Sequence, residues 1–444
     1  VCYTRRDKMI QQEGFIITAS RPNVLRTNRS YRRLWFARIF TTTSFQMLTV
    51  AISWQMYILT HDAFKLGLVG LAEFIPMLLL TLIAGQVADR FERRKIIFIC
   101  QLVECAVVAL LLVLTLGGWI QGHHILIAAA ILGASRSFEN PTNSAMVPDL
   151  VDKEELPQAA AWSASAGQTA SIIGPALGGL LLTFGPSVVY TTSIAALLIS
   201  AFLILSIQVK RAVRKLETIS MDSLLNGLRF VFQRKVILGT ISLDLFAVLL
   251  GGATALLPIF AEDVLHTGSW GLGLLRTAPA VGALLMSLVL TRYSIQNSIS
   301  KYLFISLAIF GLSTVLFAVS KNLVLSLVAL FLIGASDVVS VVIRSTLVQL
   351  NTPREMQGRV NAVNMLFIGT SNQLGEFESG TMANWFGAVV ATVIGGIGTL
   401  VVAVLWMYLF PVLRNMKTYY DTSYEREEPE NGTPELRSTP IQQK

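Results

Sequence analysis

Runs of about twenty apolar residues, separated by short polar turns, recur along nearly the whole of this chain. Residues 388–412 contain no charged side chain at all. A helix of that length crosses about 30 Å of hydrocarbon, where only helices and closed barrels can satisfy their own backbone groups. Composition agrees: 53% of the 444 residues are hydrophobic and 14% charged, whereas a soluble domain is about 25% charged. The expected fold class is an all-α polytopic membrane protein. Twelve transmembrane helices can be drawn, at 34–60, 66–88, 96–117, 124–149, 157–183, 187–209, 236–261, 269–291, 301–320, 323–350, 359–385 and 388–412.

The loops orient these spans. One side receives Arg5, Arg6, Lys8, Arg21, Arg26, Arg29, Arg32 and Arg33 ahead of the first span. It also receives Arg90, Arg93, Arg94 and Lys95, then the basic stretch 210–235, then Arg354, Arg414 and Lys417. The other side has little beyond Lys65 and Lys321. By the positive-inside rule both termini are expected on the cytoplasmic face of the membrane, and the net charge of +8 is a topology signal rather than a nucleic-acid footprint. The expected division is a basic N-terminal segment (1–33), a six-helix half (34–209), a cytoplasmic linker (210–235), a second six-helix half (236–412) and a disordered polar tail (413–444). Residues 1–33 lack an apolar core with a cleavage site, so the first span is expected to direct insertion.

An internal repeat supports the six-and-six division. At an offset of 201, Gly133-Ala134-Ser135 matches Gly334-Ala335-Ser336, Gly174 matches Gly375 and Gly179 matches Gly380; near 203, Pro76 matches Pro279. Two similar halves with a site near the midplane between them are the architecture of many transporters.

Charges inside the spans are the next constraint. Arg136 lies about twelve residues, roughly 18 Å, from the outer end of the fourth span, and Glu139 stands three residues on. Arginine facing lipid at that depth costs at least about 2.5–3.5 kcal/mol, so it must face protein or water. In the repeat, Arg136 corresponds to Asp337, with Arg344 seven residues beyond, and Glu73 corresponds to Arg276. The sign of the charge reverses between halves each time. Two readings remain open: structural ion pairs, Arg136 with Glu139 and Asp337 with Arg344, or pairs that border a cavity and open when substrate or a proton competes. A carboxylate held against a guanidinium keeps its charge, whereas one without a cation at helical spacing releases it more readily. Glu73, Glu376 and Glu378 therefore precede Glu139 as proton carriers, with Glu376 first. Glu104 and Asp244 lie near cytoplasmic span ends, where packing or snorkelling explains them.

Enzyme chemistry finds no support. There is no phosphate-binding Walker sequence and no nucleophile constellation. The histidines His61, His123, His124 and His266 fall in outward loops, and Cys2, Cys100 and Cys105 offer neither disulfide nor metal spacing. No cofactor or metal is expected.

Residues 85–95, GQVADRFERRK, place Gly85 four residues before Asp89 and Arg90, with Arg93 and Arg94 following. This pattern resembles the loop 2–3 signature of the major facilitator superfamily, with Glu92 where the usual pattern has glycine. The SIIGPALGG of the fifth span, with Gly174, Pro175, Gly178 and Gly179, resembles the helix 5 motif of drug and proton antiporters, although close helix packing alone would also use those residues. SFENPTNSAMVPDLV and NTPREMQGRVNAV are similar to the branch holding macrolide efflux proteins and the enterobactin exporter. The resemblance covers roughly residues 34–412. It implies the major facilitator fold, a gate controlled by loop 2–3, a cavity lined by the first, fourth, seventh and tenth helices, and the second and eleventh helices as neighbours. It implies proton-coupled efflux of a small amphipathic compound, a drug or siderophore, by a monomer in the lipid bilayer; an importer or lysophospholipid flippase on the same fold is the alternative. Aromatic residues at Trp54, Tyr57, Trp162, Phe367 and Trp385 are available as cavity walls.

Overall fold

The computed structural model describes residues 24–152, 154–208, 221–293, 295–353 and 356–419. The parts of the N-terminal segment, linker and C-terminal tail at 1–23, 209–220 and 420–444 lie outside the described residues. Twelve long helices follow one another: α1 (Arg29–Thr60), α2 (Ala63–Arg90), α3 (Arg93–Leu116), α4 (Gly122–Leu150), α5 (Leu156–Leu182), α6 (Pro186–Leu205), α7 (beginning with Lys235–Leu250), α8 (Gly268–Arg292), α9 (Ile299–Val319), α10 (Leu323–Leu350), α11 (Gln357–Phe386) and α12 (Ala388–Leu409). No strand occurs among the described residues.

Local chemistry sets the helix ends. Asn28 accepts a hydrogen bond from the Tyr31 amide, so α1 starts five residues before the expected limit of 34. Asp62 and Asn322 cap α2 and α10 in the same way. Gly185 and Gly387 adopt positive φ in the tight turns before α6 and α12. The seventh span is not the single helix expected at 236–261. It breaks after Leu250 at Gly251 and Gly252 and continues as a 3-10 turn (Ala253–Leu256), one α-turn (Leu257–Ile259) and a π-turn (Phe260–Val264). Paired glycines with a proline at 258 weaken the helical ladder there.

Eight of these helices are long and apolar enough to cross a membrane on composition alone. The other four, α1, α4, α5 and α11, are as long but more polar. Their polar residues turn inward: Thr41, Ser44, Arg136, Glu139, Asn143 and Ser371 are all buried. Exposed apolar side chains such as Leu79, Leu110, Phe202 and Val401 coat the periphery instead.

Glycines set the closest helix contacts, and the two halves place them equivalently. However, α2 and α8 stand in register at an offset of 206 (Gly67 with Gly273, Glu73 with Pro279) rather than the expected 203, so Glu73 and Arg276 are not counterparts in space. A Cβ on Gly133 of α4 would lie 2.0 Å from the Glu73 carbonyl oxygen of α2, and one on Gly334 of α10 would lie 1.9 Å from the Pro279 carbonyl oxygen of α8. Between the halves, Gly67 of α2 meets Gly380 of α11, and Gly179 of α5 meets Gly273 of α8. All these inter-half contacts sit toward one end of the bundle, the end bearing the α1–α2, α7–α8 and α11–α12 turns. There a single apolar core takes buried residues from all twelve helices. At the opposite end, where residues 24 and 419 lie, the cores are separate: one joins α1, α3, α4, α5 and α6, and two others belong to the second half. Gly85, Gly167 and Gly358, toward that end, face open space. The short helix Met221–Gln233 packs its Gly227 onto Arg359 of α11 on the same side.

Gly133→Ala and Gly334→Ala are each expected to lower thermal stability in detergent, by about 1–3 kcal/mol of overpacking. Gly167→Ala, which meets nothing, is expected to leave it unchanged or slightly raised. Melting curves on the three purified variants check this.

Candidate functional site

Seven of the charged residues singled out in the spans, Arg136, Glu139, Asp337, Arg344, Glu73, Arg276 and Glu376, do not form one cluster. They occupy three places, one inside each half and one between the halves.

Inside the first half, Arg136 of α4 lies 3.8 Å (Nη1) from Glu139 Oε2 and 3.7 Å (Nε) from Glu104 Oε1 of α3. The two carboxylates are 0% and 3% exposed, so neither snorkels and Glu104 belongs to the cluster rather than to general packing. Gln101 Nε2 donates to Glu139 Oε1 (3.1 Å) and also contacts Thr41 Oγ1 and Ser200 Oγ at 3.0 Å each. The guanidinium lies 3.9 Å from the centre of the Phe45 ring. The arrangement ties α1, α3, α4 and α6 together around one cation.

The second half repeats the plan with other residues. Arg344 of α10 pairs directly with Asp244 of α7 and lies 3.8 Å (Nη2) from Asp337 Oδ1. Asp244 is thus an ion-pair partner, not a snorkelling residue. Asp337 is 44% exposed, unlike any member of the first triad. Each half therefore sets two carboxylates against one guanidinium.

Between the halves, Glu73 of α2, Arg276 of α8 and Glu376 of α11 line one pocket with Ser53, Phe45 and Gly70. Arg276 Nη2 donates to Ser53 Oγ at 3.1 Å. A Cβ on Gly70 would meet Glu376 Oε2 at 2.6 Å and Gln373 Oε1 at 3.0 Å, so the glycine leaves the room that those side-chain ends occupy. Arg276 Nε and Gln373 Oε1 are buried without a hydrogen-bond partner among the described residues. The pocket holds about 40 Å³ of free space, room for roughly one to three waters and too little for an organic cargo. The Phe45 ring stands between this pocket and the Arg136 triad. Gly70, Ser53 and Gln373 were not singled out from sequence; Gly70, three residues before Glu73 on the same helix face, was the available signal.

In loop 2–3, Arg93 binds Asp149 Oδ2 at 3.1 Å and the Ala145 carbonyl, fastening the loop to α4. Arg94 donates to the Ile207 carbonyl at 3.0 Å and pairs with Glu92 at 3.2 Å. Arg90 is exposed, Gly85 faces open space, and the side chain of Asp89 lies outside the described residues. In α5, Gly174 and Gly178 pack against Gln46 and Met47 of α1. Gly179 and the Pro175 carbonyl meet Gly273 across the halves. Of the aromatics, Tyr57 donates to Asp263 of α7, linking the halves, and Trp385 is 69% exposed beside the α11–α12 turn. Neither walls the pocket. His124 Nδ1 accepts from the Gln121 amide as part of a helix cap, and no metal-ligating cluster occurs among the described residues.

Arg136→Met alone leaves two buried carboxylates without their cation and is expected to cost about 3–5 kcal/mol of stability. Combining it with Glu104→Gln and Glu139→Gln is expected to recover most of that loss. Thermal unfolding of the single and triple variants in detergent measures both.

The chain matches the family described as transmembrane secretion effector over residues 23–438. The enterobactin exporter EntS of Escherichia coli is 26% identical over 415 residues, covering 89% of this chain and 95% of that one; EntS of Citrobacter koseri gives the same figures. Among solved structures, a bacterial homologue of the lysosomal transporter Spinster, in an inward-facing and occupied conformation, aligns with a TM-score of 0.71 at 13% identity, over 87% of this chain and 97% of that one. A bacterial homologue of ferroportin in an inward-facing state aligns at 0.65 and 16% identity, over 85% and 98%. These structures share the fold. The match across nearly all twelve helices shows that this chain belongs to the transmembrane secretion effector family of the major facilitator superfamily, the multi-pass membrane transporters.

Proposed function

We propose that this transporter is a proton-coupled exporter of a small amphipathic compound, of siderophore or drug type, working by alternating access with both termini in the cytoplasm. The observation that carries the reading is the single core shared by both halves at the turn end against separate cores at the terminal end. With the termini cytoplasmic, this is a state closed outward and open inward. The similarity to the enterobactin exporter over 89% of the chain supports a siderophore as cargo and export as the direction.

The pocket of Glu73, Arg276 and Glu376 then serves coupling and gating rather than cargo binding, because it admits only water. It sits where the halves meet, and its two carboxylates come from opposite halves. Opening the outer end pulls Glu73 away from Arg276 and Glu376. Arg276 can neutralise one carboxylate fully, so a proton on the other removes a buried negative charge from the closed state. Proton exchange between the two faces thereby accompanies movement of the halves. Cargo binds nearer the terminal end, in the space the separated halves leave.

Everted membrane vesicles with an imposed proton gradient, offered enterobactin and a macrolide as probes, test this. The wild type is expected to accumulate one of them and to dissipate the gradient as it does so. Glu376→Gln is expected to lose gradient-driven accumulation by at least about tenfold, yet to keep cargo exchange across vesicles without a gradient. Undiminished accumulation by Glu376→Gln would remove this carboxylate from the coupling step.

A further inference from the structure

The flanks of the bundle carry two grooves that take no part in the sites above. One, of about 530 Å³, lies among α2, α3 and α4, and the other, of about 680 Å³, lies among α8, α9 and α10. Both volumes fall in the range of roughly 300–1,000 Å³ of sites that hold a whole small molecule. The two are copies of each other. Along α3 and α9, Ile99 and Ile305, Cys100 and Ser306, and Val103 and Ile309 line them at the same separation of 206 residues. Along α4 and α10 the lining pairs Ala134 with Ala335 and Ser135 with Ser336 at 201.

The equivalence extends to charge beside the grooves: Lys95 lines the first, and Arg292 and Lys301 adjoin in sequence the lining residues Tyr293 and Tyr302 of the second. Arg90 ends α2 and Lys95 lies in the first turn of α3; Arg292 ends α8 and Lys301 lies in the first turn of α9. At the first groove Lys95 is already paired with Glu92 at 3.0 Å, and Arg94 with the same carboxylate. At the second groove no acidic residue occurs between 292 and 302. Arg292 and Lys301 are exposed and make no ion pair among the described residues. Tyr293, 70% exposed, and Tyr302 stand at this mouth with Gln296 and Asn297. Deeper in, the lining turns aliphatic, with Ile305, Ile309 and Leu332 still accessible from outside the bundle.

A groove of this kind on the flank of a membrane-spanning bundle is filled by hydrocarbon, not water. Tyrosines with amide side chains suit the depth of the headgroups, and two unpaired cations beside them call for a phosphate. We propose that the α8–α9–α10 groove binds one anionic phospholipid, its acyl chain along Ile305, Ile309 and Leu332 and its phosphate between Arg292 and Lys301. The first groove, where Glu92 already engages Lys95 and Arg94, accepts lipid tails with a weaker headgroup preference. The site does not depend on the direction or cargo of transport.

The test uses the purified full-length protein, delipidated and titrated with dioleoylphosphatidylglycerol against dioleoylphosphatidylcholine, with bound lipid counted by native mass spectrometry. The wild type is expected to retain phosphatidylglycerol preferentially. Arg292→Gln with Lys301→Gln is expected to lower that preference by about fivefold for each charge removed, and the single variants carry the same test if the pair does not fold. Ile309→Trp, which fills the groove, is expected to remove one tightly held lipid, while Lys321→Gln at the opposite end changes nothing. An unchanged preference in the Arg292 and Lys301 variants overturns the assignment. So does an Ile309→Trp protein that keeps its lipid but loses cargo binding, which would make the groove a cargo route.

Discussion

A backbone carbonyl pressed against a glycine holds each half of this molecule together. The Glu73 carbonyl oxygen stands where a Cβ of Gly133 would be, and the Pro279 carbonyl oxygen stands where one of Gly334 would be. No other residue fits at either place. The consequence reaches beyond packing, because Gly133 lies three residues before Arg136 and its contact is made by Glu73 itself. Fixing α4 on α2 at this depth sets the guanidinium inside the half and the Glu73 side chain between the halves. The same crossing in the second half sets Arg344 and Arg276. In a bilayer, where helix association draws on close contact rather than on hydrophobic exclusion, small residues at these crossings decide where every buried charge ends up.

The buried charges then obey a common ratio. Each half holds two carboxylates against one arginine, and the pocket between the halves again holds two against one. A guanidinium offers a planar fork that can serve two carboxylates at once, but its charge balances only one. The surplus is met by hydrogen-bond donors in the first half, where Gln101 reaches Glu139. In the second half it is met by access, since Asp337 remains partly open.

The long apolar runs, the turns between them and the six-and-six repeat were readable one residue at a time, because helix length and loop charge are local properties. The span expected at 323–350 is α10, and most other limits differ by a few residues. The break in α7 does not follow from its Gly251-Gly252 pair alone, since glycine pairs are common in spans and only the contact of Gly252 with Gly375 of α11 gives this one a reason. The triads were half legible. Arg136 with Glu139 follows from spacing along one helix, but Glu104 and Asp244 sit on other helices, and no spacing along a chain reports which helices face each other. Glu376 has no cation near it along its own helix; its cation, Arg276, arrives from α8.

The two halves, alike in plan, differ in how firmly they are closed. In the first, the triad is sealed by Gln101, Thr41, Ser200 and the Phe45 ring, and α1 to α6 run as unbroken helices apart from prolines they absorb. In the second, α7 is interrupted beside α11, a pocket adjoins Arg344, and Asp337 is open. Local rearrangement costs least where backbone hydrogen bonds are already broken and side chains incompletely packed. A rigid first half and a yielding second half thus share one core at the turn end. Any motion that parts them there is taken up first along α7, whose broken segment carries the Asp263 that Tyr57 of α1 holds across the closed end.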